Sequence, residues 1–131
     1  MDILSKETME LTSRALDGLA SRHKAISSNI ANANTANYQR VDVAFEGQLK
    51  RIIETKEAEK HGKTVRMPLT YSGFNPQLFI SGDPAQNGSL NNVNLEIEMA
   101  ELAKNGMKFN VLAQMQAKSF QGFKDLIQGA K

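Results

Sequence analysis

The chain has 131 residues, with 16 Lys and Arg against 14 Asp and Glu and no cysteine. Its length suits one ordinary domain. A net charge of +2 is too small to argue for a nucleic-acid or anionic-membrane binder, and the missing thiols exclude disulfides and thiolate metal sites. The N-terminus shows neither a basic n-region nor an uninterrupted apolar run, so no cleaved secretory signal is expected. No apolar stretch approaches the roughly 18 residues of a spanning helix.

In chain order, the first predicted element is an amphipathic helix. Met9, Thr12, Leu16, Leu19, His23, Ile26, Ile30 and Ala33 fall on one line at helical spacing. The helix runs into SSNIANANTANYQR, residues 27–40, where Asn29, Asn32, Asn34 and Asn37 crowd ahead of Tyr38. Asparagine competes with the helix for nearby backbone hydrogen bonds, so the crowding marks a helix end. Asn37 is expected in the left-handed conformation of a C-terminal cap, with Tyr38 folding back as its apolar contact. Asn29 and Asn32, three residues apart, share a helical face and need partners if that face is covered. A local capping role and a contact repeated between identical chains both fit, and these residues alone leave the choice open.

Phe45, Leu49, Ile52 and Ile53 predict a short second helix. The run ETKEAEKHGKTVR that follows mixes both signs of charge and reads as solvated surface, not as a phosphate track. Pro68, Pro76 and Pro84 then punctuate a loop-like segment, with a short strand expected at Gln77–Ile80.

The clearest pattern comes last. Leu95, Met99, Leu102, Gly106, Phe109, Ala113, Gln116, Phe120, Phe123 and Ile127 are spaced alternately by four and three residues. A period of about 3.5 sustained over several heptads predicts a coiled-coil helix. It is expected from Asn94 to Gln128, with Asn94 as N-cap, Glu96 and Glu98 favourable in the first turn, and Gly129 as terminator. Neither terminal helix can hide its stripe alone. Antiparallel pairing or packing on other chains would cover both.

Residues suited to catalysis are sparse. His23 and His61 lack metal-ligand spacing, and Glu57 with Glu59, or Glu96 with Glu98 and Glu101, has no acid, nucleophile or metal ligand set beside it. No phosphate-binding glycine loop, nucleophile elbow or zinc motif occurs. The sequence is therefore expected to be neither an enzyme nor a cofactor or metal binder.

The asparagine stretch resembles the N-terminal motif of the flagellar axial proteins, the rod, hook and hook-associated subunits. Ser27, Asn29, Ile30, Ala31, Asn32, Asn34, Thr35 and Tyr38 match its usual form S-x-N-[IL]-A-N-x-[ND]-T-P-G-[YF]. Ala36 replaces the usual proline, and Asn37 replaces the usual glycine while keeping left-handed tolerance. Toward the C-terminus, Asn91, Asn92, Val93, Glu98, Met99, Phe120, Gly122 and Ile127 are similar to the pattern of the family's proximal rod subunits.

The resemblance implies a mainly α protein. Its long terminal helices, poorly ordered in the free subunit, would pack as an antiparallel coiled coil in the assembled rod around an extended, loop-rich middle. It divides the chain into an N-terminal axial helix at 1–36, a short helical extension plus irregular loop at 37–93, and a C-terminal axial helix at 94–131. It assigns subunit contacts to the asparagine motif, Asn37 included, and to the C-terminal seam Leu95, Met99, Leu102, Phe109, Ala113, Phe120, Phe123 and Ile127. It implies a structural role in the periplasmic rod that carries torque from the inner-membrane ring to hook and filament, after type III export. The partners it implies are further copies, FliE, FlgC and other rod subunits, with no nucleic acid or small-molecule substrate. The alternative is a stand-alone helical hairpin acting as an adaptor or chaperone, which explains the seams but not the asparagine motif.

Overall fold

A computed structural model describes residues 2–82 and 90–129. Two long helices frame it, α1 (Asp2–Ala31) and α3 (Leu95–Gly129), packed against each other. At 1.5 Å per residue they measure about 45 and 52 Å. Between them lie strand β1 (Val41–Ala44), helix α2 (Glu46–Lys60), a single 3-10 turn at Tyr71–Gly73 and strand β2 (Gln77–Ile80). The described chain is thus mainly α, with a small two-stranded sheet.

The strands pair antiparallel, Val41 opposite Ile80 and Ala44 opposite Gln77. The Ser81 amide extends the ladder by donating to the Arg40 carbonyl at 2.8 Å. β2 falls at the expected position. β1 was not anticipated, although VDVA alternates apolar and polar residues as a half-buried strand does.

α2 begins where Phe45 leaves helical geometry and ends at a left-handed Gly62 with φ 64°. There the Lys63 amide reaches the Ala58 carbonyl at 2.8 Å and the Gly62 amide reaches Glu59 at 3.2 Å. These are the two bonds of a Schellman cap, and the positive φ is what requires glycine. The following segment is tied back onto α2. Gln48 exchanges two hydrogen bonds with the backbone of Asn75, and the Leu69 amide donates to Thr55 Oγ1.

The core is where expectation and structure differ most. The middle was expected to be extended and loop-rich, yet its Val43, Phe45 and Ile52 are buried as deeply as Leu19, Ala25 and Ile26 of α1. Phe45 joins Leu19, Ala25 and Val43 in one cluster, with Val41, Leu49, Phe74 and Leu112 packed around it. The middle supplies core because β1 lies across α1 and hands Phe45 directly onto it. A Cβ on Gly18 would sit 2.3 Å from the Phe45 ring, so only glycine permits this approach in the interior of α1. Arg22, one turn on, places its guanidinium 4.6 Å from the ring centroid. It also pairs with Glu46 and Asp42 and donates to the Val43 carbonyl at 2.6 Å. Glu46 raises the Arg22 pKa through that hydrogen bond. Partial burial pushes Glu46 upward, but its bonds to Arg22 and to backbone amides outweigh this and hold it below the ordinary carboxylate range.

Candidate functional site

α1 ends at Ala31, short of the expected position 36, and its remaining asparagines build a turn instead of another helical turn. Asn32 closes it twice, its Nδ2 donating to the Ser28 carbonyl at 2.8 Å and its Oδ1 accepting from Thr35 Oγ1 at 3.2 Å. Asn37 is left-handed at φ 62°, as expected, but it closes this turn six residues beyond the helix and does not cap the helix itself. Tyr38 folds back as expected. Its contact is polar, however: the hydroxyl bonds to Asn29 Oδ1 and to Ser28 Oγ, both at 3.1 Å.

Asn29 is the centre of the arrangement and is completely buried. Its Oδ1 accepts from the Val41 amide at 2.9 Å while its Nδ2 donates to the Val41 carbonyl at 2.8 Å, so one side chain acts as a strand partner for β1. The same Nδ2 reaches Glu98 Oε2 at 3.1 Å. Glu98, also completely buried, takes its counter-charge from Arg40, which bonds in turn to Ser81 Oγ at 3.0 Å and lies 3.6 Å from Asp42. Breaking such a buried pair by removing one partner costs about 3–5 kcal/mol, because the other charge stays buried.

A second asparagine cluster, ahead of α3, completes the clasp. Asn91 Nδ2 spreads over the carbonyls of Asn32, Ala33 and Thr35 at 2.8–3.0 Å. It ties down the turn that follows α1 from more than fifty residues away along the chain. Asn92 Oδ1 receives the Arg40 amide at 2.6 Å. Asn94 caps α3 as expected, accepting from the Glu96 and Ile97 amides at 3.0 and 3.2 Å. The two long helices are thereby locked in one register, with the end of α1, the start of α3 and strand β1 held together.

Of the motif residues, Asn29, Asn32, Thr35 and Tyr38 are joined inside this clasp, and Ile30 is half-buried. Ser27, Ala31, Asn34 and Asn37 are exposed. Asn29 was expected to face a neighbouring chain, but its hydrogen-bonding capacity is spent within its own. The expected C-terminal seam is covered only in part, at Leu102, Gly106, Ala113 and Gln116. The covered line runs through Glu98, Leu102, Asn105, Leu112 and Gln116, one residue behind much of the expected one. Leu102 and Ala113 are half-buried, whereas Leu95, Met99, Phe120 and Ile127 are 46–59% exposed and Phe109 38%. The side chain of Phe123 lies outside the described residues. A search for apolar periodicity passes over this line because three of its members are polar. Arg22, Arg40, Asn91 and Asn105 were likewise missed as site residues. The second asparagine cluster was a signal for Asn91 and the place beside an alternating strand one for Arg40, whereas nothing in the local sequence marks Arg22 or Asn105.

A pair of long helices, clasped at one end and apolar on an uncovered face, defines a structural subunit built to pack against others. The family described as "Flagella basal body rod protein" matches residues 9–39. The chain is 30% identical to the flagellar basal body rod protein FlgB of Yersinia enterocolitica over 125 residues, covering 87% of this chain and 88% of the relative. It is 30% identical to FlgB of Aquifex aeolicus over 108 residues, 82% of each, and 28% identical to FlgB of Borreliella burgdorferi over 125 residues, 88% of this chain and 92% of the relative. The chain belongs to the FlgB family of flagellar basal body rod proteins, structural proteins of the flagellum and its motility.

Proposed function

We propose that the chain is a proximal rod subunit that carries torque from the inner-membrane ring to hook and filament. It reaches the periplasmic rod by flagellar type III export and packs there with further copies, FliE, FlgC and other rod subunits. The observation that carries this reading is the uncovered face of α3. Met99, Met107, Val111 and Met115, separated by multiples of four residues, are each more than half exposed. One such residue on a surface is ordinary, but a stripe along a helix this long marks an interface. In the assembled rod α1 and α3 complete an antiparallel coiled coil, the clasp setting their register and neighbours covering the stripe. The exposed motif residues Ser27, Ala31, Asn34 and Asn37, with Leu95 and Phe109, add to those contacts. The 1–36, 37–93 and 94–131 divisions serve as an inner helix, a spacer and a second inner helix.

The test is complementation of a strain lacking the gene with a Val111→Asp, Met115→Asp variant. An unpaired charge buried at each repeated interface costs several kcal/mol, so rods and swimming should be lost. Export of the subunit should persist, since the exposed positions leave the clasp intact. Normal swimming by this variant would refute the reading.

A further inference from the structure

Two to three helical turns from the clasp, on the flank away from Phe45, a groove of about 430 Å³ opens between α1 and α3. Ala20 and Gly106 leave it room, Phe109 lines one wall, and His23 and Lys24 stand at its rim. Asn105 forms its floor. That residue is 4% exposed, and its Nδ2 donates to the Leu19 carbonyl at 2.9 Å. Its Oδ1 is buried with no hydrogen-bond partner among the described residues. Turning the amide over is no remedy, because it would set two oxygens against each other at Leu19. The groove therefore holds a buried acceptor that calls for a donor, under a rim that carries a cation.

A carboxylate would suit Lys24 but would face the Asn105 oxygen, and a second cation would be repelled by Lys24. A carboxamide answers both, its N–H toward Asn105 and its C=O toward Lys24. The outer line of α3 carries such groups at heptad spacing: Gln114, Gln121 and Gln128, all exposed. Gln121 is already bonded to Asp125 at 2.7 Å. Gln114 has no partner among the described residues and sits between the exposed Val111 and Met115. Covering that stripe strands its amide unless the covering surface supplies a donor and an acceptor.

Building on the proposed rod role, we propose that the Asn105 groove is a socket for Gln114 of a second copy of this chain. The contact is heterologous, outer helix line into inner groove, so one copy's socket leaves its own glutamine free for the next. Such contacts propagate around or along a tube instead of closing a dimer.

Cysteine chemistry tests this directly, because the chain has none of its own. A His23→Cys, Lys118→Cys double variant, which keeps Lys24, Asn105 and Gln114 and sets one cysteine on the groove's rim and the other one turn from Gln114, is expressed in place of the wild type, and its basal bodies are isolated and oxidised. Within one chain the two positions lie more than about 20 Å apart along the helix pair, far beyond the reach of a disulfide. A covalent dimer from the double variant, absent from either single variant, is the expected result. Rods that contain the subunit but give no dimer overturn the socket while leaving the rod role intact. Should the double variant fail to assemble, Asn105→Leu and Gln114→Leu decide. Each alone should lower the yield of intact rods about tenfold, by stranding the other's polar group, and the two together should restore it. Single variants that assemble as the wild type, or a pair no better than either one, overturn the proposal.

Discussion

Replacing Asn29 by alanine separates the clasp from simple helix propensity. Position 29 is two residues inside the end of α1, where alanine is the better helix former by up to about 0.7 kcal/mol. Helix propensity alone therefore predicts a neutral or slightly stabilised protein. The clasp predicts the reverse. Asn29→Ala strands both backbone groups of Val41, removes a donor from the buried Glu98 carboxylate and leaves the Tyr38 hydroxyl with Ser28 alone. A stranded buried group costs about 1–3 kcal/mol, and Tyr38, half-buried, recovers part of its loss from water. The net destabilisation is then about 3 kcal/mol, or a fall in melting temperature of about 10 °C for a chain of this length. Urea and thermal unfolding followed by far-UV circular dichroism measure it, and amide exchange at Val41 localises it. Asn34→Ala, in the same motif but exposed, should leave stability unchanged. An Asn29→Ala protein at least as stable as the wild type would mean that these hydrogen bonds do not hold the helix ends together.

Gly18→Ala, ordinarily worth up to about 1 kcal/mol of added helix stability, should here destabilise by about 1–3 kcal/mol, because the methyl overlaps the Phe45 ring. Adding Phe45→Leu should relieve that overlap in the same unfolding assay. Asn37→Gly should be tolerated, whereas Asn37→Val should cost about 1–2 kcal/mol, since a β-branched residue resists the left-handed φ of 62°. Acid should loosen the β1–α2 corner. Glu46 has a lowered pKa in the folded chain, so its contribution is fully present above the ordinary glutamate range and is lost as pH falls through the lowered folded value. Arg22→Gln should remove that dependence, as read from unfolding free energy against pH.

Much of the architecture is written locally. The heptad spacing from Leu95 to Ile127 and the line from Met9 to Ile30 specify two long helices, because helical periodicity depends only on neighbours three and four residues away. Asn94 as N-cap, the left-handed Asn37 and the β2 position are equally local, each set by one residue's backbone preference or a short run. The family motif was legible too, since it lies within fourteen consecutive residues.

What only the tertiary structure decided is which face of each helix is covered. Glu98 and Asn105 look like surface residues by composition, yet they lie on the line facing α1, whereas Leu95 and Met99 are left exposed. The rotation of α3 is set by Asn29 and Arg40 gripping Glu98, contacts between residues 58 and 69 positions apart that no periodicity encodes. The same holds for Gly18. A glycine in mid-helix reads as a weakness until β1 brings Phe45 across it, and the missing side chain then becomes the space that the core fills.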